Sequence, residues 1–145
     1  MLGGNDAVTD NFGIGEQDIM SEEVTGTYTN ATIQSNAGEN TYGADSDKVS
    51  YFAPAMGPLT VGVSYMDGGV AGDADSTSFG GKLAIGDNIT VGYTNGIQEV
   101  SGAIDNESQN IGAKIALGDL TVIGAISKVE GADEDIDAVG AGARY

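Results

Sequence analysis

The sequence predicts an all-β chain folded as an antiparallel up-and-down meander, and three observations carry that prediction. Apolar residues recur with a period of two from Asp47 to the end of the chain, which is the strand signature. Short, Gly-containing connections alternate with longer acidic ones. The composition, with 24 Gly, 2 Pro and no Cys, His or Trp in 145 residues, suits a Gly-punctuated sheet better than a set of helices.

Taken in order, residues 1–46 show no sustained alternation except over 24–33 and read as a loop region. Within it the acidic stretch from Gly15 to Glu23 has the makings of one or two helical turns, and residues 35–47 form a polar connector. Residues 47–145 then supply about seven strands. Val49, Tyr51 and Ala53 share a face in the first; Leu59, Val61, Val63 and Tyr65 oppose Thr60, Gly62, Ser64 and Met66 in the second. Phe79, Gly81, Leu83 and Ile85 oppose Ser78, Gly80, Lys82 and Ala84, and Ile89, Val91 and Tyr93 oppose Thr90, Gly92 and Thr94. Ile111, Ala113, Ile115 and Leu117 oppose Asn110, Gly112, Lys114 and Ala116, and two further runs lie near Leu120 to Val129 and Asp137 to Tyr145.

The connections Met56-Gly57-Pro58, Gly86-Asp87-Asn88 and Gly118-Asp119 have the turn formers that tight hairpins require. Those between them, Asp67 to Ser76, Gly96 to Glu107 and Glu130 to Ile136, are longer and acidic. Tight turns at one end and long polar loops at the other are the arrangement of outer-membrane β-barrels. The competing architecture is a soluble antiparallel sheet with one face in water. Against it, the positions opposite the apolar face hold mainly Gly, Ser, Thr and Ala instead of charged residues, and aromatic residues make up only 6% of the chain. The fold expected is therefore part of a transmembrane β-barrel. No run approaches the ~20 apolar residues of a spanning helix, whereas barrel strands need only about 9–11 residues of alternating polarity.

Five basic residues against 22 acidic ones give a formal net charge of −17, which repels nucleic-acid phosphates and excludes that class of partner. Without His or Cys, neither a Ser-His-Asp or Cys-His arrangement nor a standard zinc site can be built, and a disulfide scaffold is excluded. No pair of carboxylates stands out for hydrolysis, so no enzyme, cofactor or metal is expected. The alternative function class is a secreted acidic β-sheet surface or adhesin module, calcium-binding through its loops.

Counting by two, Lys48, Lys82, Lys114 and Arg144 fall opposite the apolar face and would line a barrel lumen, while Lys128 falls on the apolar phase at the loop end of its strand. The carboxylates concentrate in the loops and near the start, at Glu16, Asp18, Glu22 and Glu23 and again at Asp133 to Asp135, where simple solvation is the preferred reading. Basic wall residues facing an acidic loop would set a transverse field that filters solutes by charge and dipole.

The segment Asp47-Lys48-Val49-Ser50-Tyr51-Phe52-Ala53-Pro54-Ala55-Met56-Gly57-Pro58-Leu59-Thr60-Val61-Gly62-Val63-Ser64-Tyr65 resembles the general diffusion porins of Gram-negative bacteria, particularly the alphaproteobacterial kind. In that family a strand ending in Tyr-x-x-Pro follows the constriction loop, and a short turn leads into a strand ending in Gly-x-Ser-Tyr. Val91-Gly92-Tyr93 and Ala138-Val139-Gly140-Ala141-Gly142-Ala143-Arg144-Tyr145 look similar to its repeated hairpins, so the likeness covers about the last two-thirds of the chain. The resemblance implies a water-filled outer-membrane channel for passive diffusion of small hydrophilic solutes and ions, in contact with membrane lipid and trimeric in the full-length protein. It also implies that residues 1–46 correspond to the constriction loop, with Glu16, Asp18, Glu22 and Glu23 on its acidic side, and that Lys48, Lys82, Lys114 and Arg144 are wall residues. The family's basic cluster is arginine-rich, whereas this chain has a single Arg. Channels of this kind use about 16–18 strands, so seven are expected to be a piece of a larger wall.

Overall fold

The computed structural model describes residues 2–4, 8, 12–14, 47–67, 74–100, 104–131 and 135–145. They contain one sheet of eight strands in simple sequence order: β1 (Leu2–Gly4), β2 (Asp47–Phe52), β3 (Leu59–Met66), β4 (Ala74–Ile85), β5 (Ile89–Val100), β6 (Ile104–Leu117), β7 (Leu120–Glu130) and β8 (Ile136–Arg144). Every neighbouring pair is antiparallel. From Asp47 on there are seven strands, as the alternation predicts. The eighth, β1, lies inside the stretch read as loop: Leu2, Gly3 and Gly4 pair with Val49, Lys48 and Asp47. Three residues are too few to show a period of two, so this strand is defined by its partner alone. Among the described residues β1 and β8 are the sheet's two edges.

The tight turns fall where their sequences place them. Gly57, Gly86 and Gly118 each open a turn with φ of 63°, 60° and 65°, backbone that a Cβ disfavours. Leu117 pairs directly with Leu120 around Gly118-Asp119. The opposite connections are shorter than expected. Ser76, Gly96 and Glu107, assigned to loops from sequence, are ladder residues: Ser76 pairs with Gln98, Gly96 with Ser108, and the β5–β6 hairpin closes at Val100 and Ile104. The apolar pattern stops before these residues, but backbone pairing does not depend on it, and the ladder continues through a polar sequence.

Burial is inverted relative to a water-soluble sheet. Val63 is 43% exposed beside Ser64 at 4%, Ile111 is 51% exposed beside Asn110 at 2%, and Ile126 is 56% exposed beside Ser127 at 3%. Leaving one such apolar side chain in water forgoes about 1.5–3 kcal/mol of burial, so a soluble sheet would turn these residues inward. A strand in a bilayer turns them out.

Register shows how this apolar surface runs. Val61, Gly81, Tyr93, Ile111, Ile126 and Val139 stand side by side from β3 to β8. The next row toward the loops, Val63, Phe79, Asn95, Gln109, Lys128 and Asp137, is apolar on β3 and β4 and polar from β5 on. At the turn end the band reaches Leu59 on β3, one row further at Ile85 and Ile89, and one further again at Leu117 and Leu120. Both edges therefore step in the same direction. A band of constant height crossing strands tilted ≈ 35–45° to the membrane normal produces this staircase. Tyr65, Phe79 and Tyr93 mark its loop-side edge on β3 to β5, with the Phe79 and Tyr93 rings 5.9 Å apart, in the manner of an interfacial aromatic girdle. Among the described residues no helix is long and apolar enough to cross a membrane, which has no bearing on strands.

Candidate pore lining

The small-residue face carries an ordered seat. Val8, Phe12 and Ile14, all buried, lie across strands β3 to β6, and two of their backbone groups are held by wall side chains. Val8 N–H donates to Ser64 Oγ at 3.3 Å, and the Ser64 and Ser78 hydroxyls are hydrogen-bonded at 2.5 Å. Ile14 N–H donates to Asn110 Oδ1 at 3.5 Å, while Asn110 Nδ2 donates to Ser127 Oγ at 2.9 Å. Between these anchors the Phe12 ring packs 5.8 Å from that of Phe52 at 56° and against Gly62, with the Phe12 Cβ near Gly80. The Phe12 carbonyl lies over Gly92 and the Ile14 carbonyl over Gly112. Serine, asparagine and glycine at these positions leave room for a second backbone and supply the partners it needs.

Sequence reasoning placed the small residues on the right face but did not single out this seat. The available signal was the glycines: Gly62 pairs with Gly80 and Gly92 with Gly112, and glycine in a strand interior often marks a close backbone approach.

The four candidate wall residues divide into two groups. Lys82 pairs with Thr60 and Gly92, Lys114 with Thr90 and Ile123, and Arg144 with Thr121, so all three stand on the small-residue face of alternate strands. Each lies one row further toward the turns than the one before, the same slope as the apolar band, which puts them at a common depth. Lys82 and Lys114 flank the seat on its turn side, on the same wall instead of across from it. Lys48 pairs with Gly3 and Met66; its register position is on the same face but near the loop end of β2, apart from the other three. Glu16, Asp18, Glu22 and Glu23 lie outside the described residues, as do the alternation over 24–33 and the acidic residues Asp133 and Glu134.

On the opposite face, beyond the apolar band, is a polar rim. Glu107 Oε1 accepts from Asn95 Nδ2 at 2.6 Å and Gln109 Nε2 at 2.8 Å. These two hydrogen bonds, that from Gln109 foremost, hold the Glu107 carboxyl below its ordinary range. Lys128 lies on the apolar-face phase as counted from sequence, and it pairs with Glu130, which raises its pKa through that hydrogen bond and charge. Its register position is beyond the loop-side edge of the apolar band, where a cation costs little. Among the described residues no group of three or more carboxylates is placed to hold a metal ion.

An antiparallel meander that exposes a tilted apolar band with an aromatic edge and covers a face of serine, glycine and asparagine is a section of a transmembrane β-barrel wall. The family model for Gram-negative porins matches residues 1–145. The chain belongs to that family, and the match includes the first 46 residues, which the sequence motifs alone left out. A search of curated proteins found no match, and neither did a search of solved structures.

Proposed function

We propose that the chain forms part of the wall of a non-enzymatic, water-filled channel through which small hydrophilic solutes and ions diffuse passively across the outer membrane. The observation that carries this reading is the inverted burial: apart from Ile123, the large apolar side chains of the band on β3 to β8 face out, and the small polar ones face a covered interior. A sheet so arranged is at home only with lipid on one side and an aqueous or protein-filled lumen on the other. Membership of the porin family supports the same conclusion.

In this reading the chain between β1 and β2 acts as the constriction loop, with Glu16, Asp18, Glu22 and Glu23 on its acidic side. Lys82, Lys114 and Arg144 form a line of positive charge at one depth, and Lys48 contributes nearer the loops. The loop carboxylates and the basic line together bias permeation by charge and dipole. The full-length protein is a homotrimer in contact with membrane lipid.

The test is reconstitution of the full-length protein containing this chain in planar lipid bilayers. Stepwise, non-rectifying conductance increments and size-dependent passage of uncharged sugars into vesicles are expected. A monodisperse β-sheet protein that needs no detergent and adds no conductance would reject the proposal.

A further inference from the structure

We propose that Gly62, Gly80, Gly92 and Gly112, with the anchors Ser64 and Asn110, determine the aperture of this channel by fixing how closely the stretch carrying Val8, Phe12 and Ile14 lies against the wall. The inference rests on the channel reading above and adds to it the residues that set its selectivity by size. Any backbone lying over the small-residue face takes its thickness out of the lumen. Its distance from the wall is therefore a dimension of the pore.

That distance is set by glycine. An added Cβ at Gly92 would lie 2.6 Å from the Phe12 carbonyl oxygen, and ordinary contact begins at 3.4 Å. At Gly112 the overlap is with the Ile14 carbonyl and is more severe because that oxygen lies closer still, and at both positions backbone cannot rotate away as a side chain can. Gly62 would meet the Phe52 ring at 2.9 Å and the Phe12 ring at 3.0 Å, and Gly80 would meet the Tyr93 carbonyl oxygen of the neighbouring strand at 2.9 Å before the Phe12 Cβ at 3.3 Å, so these two contribute less to the seat than Gly92 and Gly112. On the other face Gly124 would meet nothing within 4 Å, and Gly81 would meet only its own neighbouring strand, at the Thr60 carbonyl oxygen and Val61, so contact with Phe12 and Ile14 is confined to the glycines of the seat. The two anchors hold the ends: Ser64 on β3 receives the Val8 N–H and Asn110 on β6 the Ile14 N–H. Val8 and Ile14 are thus two fixed points, and Gly92 and Gly112 form a floor beneath the Phe12 and Ile14 carbonyls.

Alanine at position 92 or 112 pushes the covering backbone toward the lumen while leaving the strands paired, whereas removing an anchor releases one end. The full-length channel carrying Gly112→Ala should keep its folded, heat-resistant form yet show a single-channel conductance lower by roughly one-fifth or more, since flux follows the free pore diameter. Gly124→Ala should match the wild type. Ser64→Ala, a change small enough to fold, should raise conductance or open-channel noise. Equal conductance in the wild type and a folded Gly112→Ala channel would overturn the proposal; if that variant does not fold, an unchanged Ser64→Ala channel would do so instead. Location is tested separately by the pair Val8→Cys and Ser64→Cys, which should form a disulfide in the folded protein whether or not current is measured. Failure to cross-link would remove the seat while leaving the channel reading intact. A cross-linked protein without conductance would reject the channel reading and with it the role given to the glycines.

Discussion

The carbonyl oxygen of Phe12 lies 2.6 Å from the point that a Cβ on Gly92 would occupy, so two stretches of backbone eighty residues apart in sequence meet without a side chain between them. Overfilling that gap should be costly. Gly92→Val is expected to destabilise the folded protein by about 1–3 kcal/mol, the range for overpacking. Gly124→Val, whose surroundings are open, should change stability by no more than about 0.5 kcal/mol. Urea unfolding of the two variants in detergent micelles, followed by far-ultraviolet circular dichroism, makes the comparison; similar midpoints would count against the seat.

The apolar band makes a depth-dependent prediction. Ala113 lies within it and faces outward between Ile111 and Ile115, whereas Gln109 stands beyond its loop-side edge. Ala113→Arg should cost ~2–4 kcal/mol on folding into vesicles, and Gln109→Arg about 0–1 kcal/mol. If both cost the same, the band has been placed at the wrong height.

Acid should loosen the rim before it loosens the wall. The Glu107 carboxyl is held below its ordinary range by Gln109 and Asn95. A depressed carboxylate contributes stability that is present above its unfolded pKa and lost as pH falls through its folded value. Amide protection factors in the loop-side halves of β5 and β6 should therefore fall as pH drops below the usual glutamate range, and Glu107→Gln should remove that fall. An unaltered profile in that variant would show that another group is responsible.

Charge selectivity should follow the basic line. Replacing Lys82, Lys114 or Arg144 by Glu is expected to move the zero-current potential in a salt gradient toward cation preference, with larger shifts when two are combined. Lys128→Glu, on the lipid-side face, should leave that potential unchanged while removing the ion pair with Glu130. Shifts from Lys128 as large as those from Lys82 would reverse the assignment of faces.

Much of the fold is readable in single strands because facing is a local property. A period of two decides which of Val63 and Ser64 points outward, and Gly118-Asp119 needs no distant partner to specify a tight turn. The phase of Lys82, Lys114 and Arg144 follows by the same counting. The extent of β5 and β6 does not, because past Tyr93 and Ile111 the sequence turns polar while the ladder runs on to Val100 and Ile104. Polar strand ends and polar loops look alike when hydropathy is the only guide.

The sequence by itself determined the meander, its tight turns and the two chemically distinct faces, because each depends on residues a few positions apart. Only the tertiary structure decided that Leu2–Gly4 pairs with β2, that three basic residues stand at one depth, and that Val8 and Ile14 rest on Ser64 and Asn110, 56 and 96 residues away. These depend on which strands become neighbours and in what register, and on a fit between backbone and glycine that has no periodic trace along the chain.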